Sequence, residues 1–517
     1  MSVPAFAFDA SSFIPTHCGA DEYAAFVQQL PSGEDWRRKL VRFQTRFAVS
    51  YPDLGAWFDT PLRERIGWQN QTTQSRRRAP QDGFDATAGW VNHNARPYLI
   101  YLALTGRLRL DWPWLLGVGV LKPWVIAEAV GLPLVARCDE ILALSRGLGL
   151  PHADCRQRVH WTIARLVLHR GDPDIDTLAA GDIDALRALL RNVAELPQIE
   201  QALIPQQLKT ASRVWGTYAF QTGVALFHAG VIDRMPPRAE TKPAQPLSTR
   251  PQVAAVMDRY VAERRLIDRP GTVMQINAAM RRLSTWIDQS RPDLASLAEL
   301  DRSDLLEFLT WLIDQRKALK PAEPISTNYR RMIIWNVMAM FRYAYNNEWE
   351  NVPARPPLIT ADVPRTVERV PRYIPDHELG PVMDQLRALD CAYQRCALLV
   401  ARWSGARRGE IRRLHLDCLD TYTDGTARLR LAAGKSRKER TVPIHDEAAE
   451  AIRTLLAIRG GHRDRGIYDR DLGHPVRYLF LRKGRLASTT YLFEAPLAQT
   501  CTRLGLVGND GKPLITA

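Results

Sequence analysis

Residues 404–444 read SGARRGEIRRLHLDCLDTYTDGTARLRLAAGKSRKERTVPI. A Ser-Gly break separates a preceding helical run from RRGEIRRL, which starts a new helix. TARLRL then alternates, with Leu429 and Leu431 on one face, and RTVPI alternates on the way back, which predicts a β-hairpin whose tip is AAGKSRKE. Only 10 of the chain's 70 Lys and Arg are lysine, and two of them, Lys435 and Lys438, fall on this tip.

Working outward, DHELGPVMDQLRAL places Leu379, Val382, Met383, Leu386 and Leu389 on a helical period, and CAYQRCALLVARW continues as a second helix. Beyond the hairpin, VRYLFLRKGR reads as a strand and TTYLFEAPLAQTCTRLGL as a helix. A guanidinium at a helix start, Arg407, and an ammonium on a hairpin tip, Lys435, can grip one phosphate from two directions. Arg offers a bidentate fork to two nonbridging oxygens. Lys can protonate a leaving alkoxide once its pKa is lowered, so the pair suits metal-free phosphoryl chemistry.

SGARRGEIRRL followed by GKSRKERTVPI resembles the catalytic core of the tyrosine recombinase (phage integrase) family. Arg407 matches the family's first catalytic arginine, Glu410 the acid that buttresses the turn, and Lys435 the hairpin lysine that acts as general acid. The resemblance implies DNA contacts from Arg408, Arg437, Lys438 and Arg440, and from Arg330 and Arg331 in the preceding helical block. It also implies cleavage of double-stranded DNA through a 3′-phosphotyrosyl link, with no metal and no nucleotide cofactor, by a homotetramer on two duplexes. The family's His-x-x-Arg segment and nucleophilic tyrosine are expected beyond Ala517, so the chain as given is expected to hold the first half of the site and to be inactive alone. His462, Arg465, His474, Arg477 and Tyr491 imitate the missing parts; they are expected to be loop and core instead, because they are too closely spaced for the helices that should separate such parts.

Proline-rich stretches at 235–252 and 352–372 read as linkers. They leave a helical block at 1–234, a core-binding DNA-clamp block at 253–351 and the catalytic block at 373–517. The expected fold class is mainly α with a small β-hairpin or sheet (α+β), the clamp resembling a SAM-like core-binding domain. In the clamp, Val273, Ile276, Met280, Leu283 and Ile287 form one apolar stripe, and Asp301 or Ser303 caps the helix that follows. STNYRRMIIWNVMAMFRYAYNN carries Arg330, Arg331 and Arg342 among aromatics. LAAGDIDALRALL from Leu178 parallels LDRSDLLEFLTWL from Leu300, each followed by a tryptophan-bearing helix. The first block therefore reads as a diverged duplicate of the clamp at a spacing of about 120 residues.

The net charge of +14 over 517 residues points to a polyanionic partner, nucleic acid first. From residue 401 onward there are 22 Lys and Arg against 13 Asp and Glu, which places most of that excess near the catalytic block. Seven scattered cysteines, with no zinc-site spacing and no export-signal pattern, suit a reducing cytoplasm. The most apolar run is broken by Lys122, Pro123 and Glu128, so no membrane span is expected. Asp172, Asp174 and Asp176 have calcium-loop spacing, but Thr177 replaces the required Gly, and a helix-cap loop is expected. His415 and His445 flank the hairpin as structural or phosphate-neighbouring groups. Two other readings stay open: a DNA-binding relative without chemistry that occupies or regulates recombination sites, and a helical interaction protein with a basic surface.

Overall fold

The computed structural model describes residues 13–67, 85–150, 152–203, 205–238, 246–317, 320–365, 375–433, 438–461, 464–469 and 472–507. Their contacts divide the chain into two units, Met1–Arg238 together with Ile374–Ala517, and Ala239–Tyr373. Helices dominate both, with small antiparallel sheets of two or three strands between them, the α+β class read from the sequence.

In the Ala239–Tyr373 unit the helix Pro270–Ser290 buries Val273, Ile276, Met280, Leu283 and Ile287, the predicted stripe, and packs on the helix Thr327–Asn346. Its partner buries Ile333, Ile334, Val337, Met338 and Phe341. The helix Arg302–Asp314 is capped by Asp301, whose carboxylate accepts the Asp304 N–H at 2.9 Å while Asp304 accepts the Asp301 N–H at 3.0 Å. The block was expected to be all-helical. It also contains an antiparallel pairing of Arg316–Lys317 with Lys320–Pro324, where Pro321 and Pro324 remove the donors a helix needs.

The other unit begins with helices around a core that includes Trp57, Tyr98 and Trp114. Arg65, fully buried within it, is neutralised by Asp111 at 2.9 Å. Asp172, Asp174 and Asp176 do form a capping loop: Asp174 accepts the Asp176 N–H at the head of a short 3-10 turn, Ile175–Thr177. Three element starts in this block recur 122 residues later: Ile175 and Leu297, Ala180 and Arg302, Pro205 and Thr327. Asp182 accepts the Ala179 N–H as Asp304 accepts that of Asp301.

In the carboxy-terminal part of the same unit, Leu419–Thr421, Ala427–Leu431 and Arg440–Pro443 make an antiparallel sheet in that order. Leu429 and Leu431 point into the core, and Arg428 and Arg430 on the opposite face pair with Asp420 and Asp417. Helices Ala392–Ser404 and Asp446–Gly460 pack on each other beneath it. The stretch 476–485 is not one strand. His474–Val476 pairs with Ile467–Asp469, and Leu481–Arg482 turns back on Arg485–Leu486 through Lys483 and Gly484, both left-handed at φ 51° and 69°. Two consecutive positive φ values are what a two-residue hairpin of type I′ requires.

That turn meets the helix Pro205–His228. His228 Nε2–H donates to the Gly484 carbonyl at 2.7 Å, and the Arg465 N–H donates to His228 Nδ1 at 3.2 Å. No helix among the described residues is long and apolar enough to cross a membrane.

Candidate active site

The helix Ala392–Ser404 ends at Gly405, left-handed at φ 59° with open space where a Cβ would stand. Ser404 Oγ donates to the Val400 carbonyl at 2.6 Å and accepts the Ala406 N–H at 3.1 Å. The chain therefore reverses within three residues and delivers Arg407 as N-cap of the short helix Arg408–Arg412.

Glu410 organises the turn. Its buried carboxylate accepts the Arg407 backbone N–H at 3.0 Å and Arg407 Nη1 at 3.1 Å. From the sheet, Arg440 reaches the same carboxylate with Nη2 at 2.7 Å and Nη1 at 3.2 Å. These contacts, the Arg440 pair first, hold the Glu410 carboxyl down at about 2. Arg440 sits opposite Leu431 at the root of the hairpin tip. One carboxylate thus ties the arginine turn to the base of the lysine hairpin. The Arg407 side chain remains 65% exposed, with guanidinium edges available to a ligand.

A second tie lies behind it. Trp403 donates its indole N–H to Glu447 at 2.9 Å and stacks on His445 at 4.2 Å between ring centroids. His445 caps the helix Asp446–Gly460 by accepting the Glu447 N–H, a structural role. His415 is half-buried against Tyr478, and burial lowers its pKa.

Lys435 and Arg437 lie outside the described residues. Lys438 is exposed, and Arg408 pairs with Glu494 at 3.0 Å. In the other unit, Arg330 donates to Thr327 Oγ1 at 3.1 Å and Arg331 to the Pro364 carbonyl at 2.5 Å. Sequence reasoning grouped Arg440 with the DNA contacts and missed its grip on Glu410, a pairing 30 residues apart.

Tyr491 is packed: its hydroxyl meets Cys391 Sγ at 2.9 Å, and the Arg482 guanidinium covers its ring at 4.5 Å. Burial, then Cys391, pushes its pKa up to about 12. Arg465 donates to the Ile232 carbonyl and Arg477 pairs with Asp464; His462 lies outside the described residues. Among the described residues no group of three His, Cys, Asp or Glu is placed to hold a metal ion.

The phage integrase family model matches residues 372–509, the part of the chain that carries this exposed helix-capping arginine, the buried acid beneath it and the hairpin rooted in the same acid. Transposase B from transposon Tn554 of Staphylococcus aureus is 25% identical over 257 residues, which is 50% of this chain. The chain spans 38% of the length of that curated relative. Among solved structures, the XerH recombinase bound to difH aligns over 50% of this chain and 68% of its own, at 15% identity and TM-score 0.34. The Tn1549 transposon integrase in complex with circular intermediate DNA aligns over 52% and 82%, at 13% and 0.37. A lambda integrase tetramer bound to a Holliday junction aligns over 58% and 78%, at 16% and 0.34.

Proposed function

We propose that this chain acts in DNA strand exchange as a tyrosine-type recombinase, with Arg407 and Lys435 gripping one backbone phosphate. The observation that carries the reading is the Glu410 clasp. The buried carboxylate orients one exposed guanidinium and anchors the hairpin that bears Lys435.

In the reaction a tyrosine oxygen attacks phosphorus and the bond to the 5′ oxygen breaks. Arg407 stabilises charge on the nonbridging oxygens, and the Lys435 ammonium gives its proton to the departing 5′ oxygen. The attacking tyrosine is assigned to none of the described residues. The Ala239–Tyr373 unit serves as the DNA clamp through Arg330 and Arg331. The constant 122-residue offset supports reading the first block as a diverged copy of that clamp. Four protomers would act on two duplexes.

The test uses the protein in a form that supplies the attacking tyrosine: bound duplexes are selected from a random-sequence pool, and strand cleavage and covalent capture are then measured on the selected site. Arg407→Ala should keep binding within about threefold and lose cleavage by roughly a hundredfold or more. Equal loss of both refutes a catalytic role for Arg407. Tight, sequence-selective binding without any cleavage, in a protein that supplies the attacking tyrosine, returns the non-catalytic reading.

A further inference from the structure

Between the helix Pro205–His228 and the Leu481–Leu486 turn lies a cavity of ≈ 200 Å³ whose nine lining residues include four cations, Arg238, Arg482, Lys483 and Arg485, and no acid. Arg412 adds a fifth cation nearby: it donates to the Ala487 carbonyl at 2.5 Å and feels the charge of Arg238. Burial, then Arg238 and Arg187, draws Arg485 down to about 10, and burial, then Arg482 and Arg158, lowers Lys483. Asp184, the acid that reaches Arg187, is engaged by Arg234.

Like charges gathered in a half-buried cleft repel one another and lose hydration, so such a cluster is costly unless an anion completes it. The guanidiniums are also oriented in advance. Arg485 lies over Phe220 at 5.0 Å and Arg482 over Tyr491 at 4.5 Å, which fixes their planes and leaves N–H edges for in-plane acceptors. Arg485 uses one of its donors on the Pro236 carbonyl at 2.7 Å. Gln221 and Ser488 add neutral polar groups to the lining.

We propose that this cleft seats a backbone phosphate of DNA, so that the amino-terminal block and the carboxy-terminal domain share a second DNA contact separate from Arg407. Arg238 and Arg482 are exposed at the rim while Lys483 and Arg485 are half-buried, a fan of charge that fits an extended polyanion better than an isolated ion. The short helix Arg408–Arg412 has Arg407 at one end and Arg412 at the other, about 7.5 Å of helix. The proposal rests on the DNA reading given above.

The test is equilibrium binding of fluorescent duplex DNA to the full chain over a range of salt, for Arg238→Gln, Arg482→Gln and Arg485→Gln, each checked for folding by thermal melting. Loss of a phosphate contact should weaken binding roughly threefold to tenfold near 0.1 M salt and reduce the slope of log K against log salt by about 0.9. Folded variants with unchanged affinity and slope overturn the proposal. So does a melting temperature raised by inorganic phosphate in the unaltered chain and not in Arg485→Gln, if DNA affinity is the same in both. Should Arg485→Gln fail to fold, Arg238→Gln at the exposed rim decides alone. An unaltered chain that binds no DNA sinks the strand-exchange reading itself, whereas normal binding with indifferent variants sinks only the cleft.

Discussion

Glu410→Gln removes one negative charge from between two guanidiniums while keeping the shape of the side chain. The contacts from Arg440 and then Arg407 hold the folded carboxyl at about 2, against an ordinary 4.5. Unscreened, that difference corresponds to ~3 kcal/mol of stability contributed by the ionised form. Arg440 and Arg407 are 36% and 65% exposed, so water screens the pair and rehydrates both cations in the variant. The expected loss at neutral pH is therefore about 1–2 kcal/mol. Because the folded carboxyl is depressed, its contribution is complete above about pH 4.5 and is lost as pH falls toward about 2. Urea unfolding of both proteins from about pH 7 to 3, following whichever transition the substitution moves, should give a gap that holds to about pH 5 and narrows below it. A gap that is absent at neutral pH, or that stays constant to about pH 3, would refute the clasp as the source of the stability.

Gly484→Ala should destabilise the chain by about 2–3 kcal/mol, since a Cβ would stand 2.6 Å from Val224 Cγ1 on a residue at φ 69°; an unchanged melting temperature would mean that the helix Pro205–His228 does not rest on this turn. His228 uses Nε2 as donor and Nδ1 as acceptor, an arrangement only the neutral ring allows, and burial lowers its pKa. Its contribution is thus complete above about 6.5 and declines as pH falls below that value, so melting between about pH 8 and 5 should fall less steeply for His228→Gln. Parallel pH profiles for the two proteins would refute it.

Periodic elements were legible because one period repeats over many residues. Val273 to Ile287 declared a helix face, and Leu429 with Leu431 declared an inward strand face, and all are buried. Leu419–Thr421 escaped notice because three residues carry no period. The stretch 476–485 reads as a strand because its apolar run at 478–481 outweighs Lys483-Gly484, a turn pair that sits between Arg482 and Arg485 near its end. Within the site, the Arg407–Glu410 spacing declares a local cap. The Arg440 grip on that acid depends on hairpin register, and His228 meets Gly484 across 256 residues, distances at which a single sequence carries no signal.

The pairing of the cations, more than their number, marks where a polyanion would bind. Arg291 is engaged by Asp304 and Glu307, Arg302 by Asp362 and Arg387 by Glu447, so each of these already has its counter-charge. At the arginine turn one carboxylate serves two guanidiniums, which leaves one unit of positive charge uncompensated beside an exposed fork. In the cleft Arg412, Arg482 and Arg485 rest on carbonyls or aromatic rings, partners that fix geometry without cancelling charge. A surface selected only for solubility would have no reason to orient guanidiniums and leave them uncompensated. Oriented, uncompensated guanidiniums suit the bidentate recognition of a phosphodiester proposed for both sites, and the turn and the cleft arrive at that state by different local means.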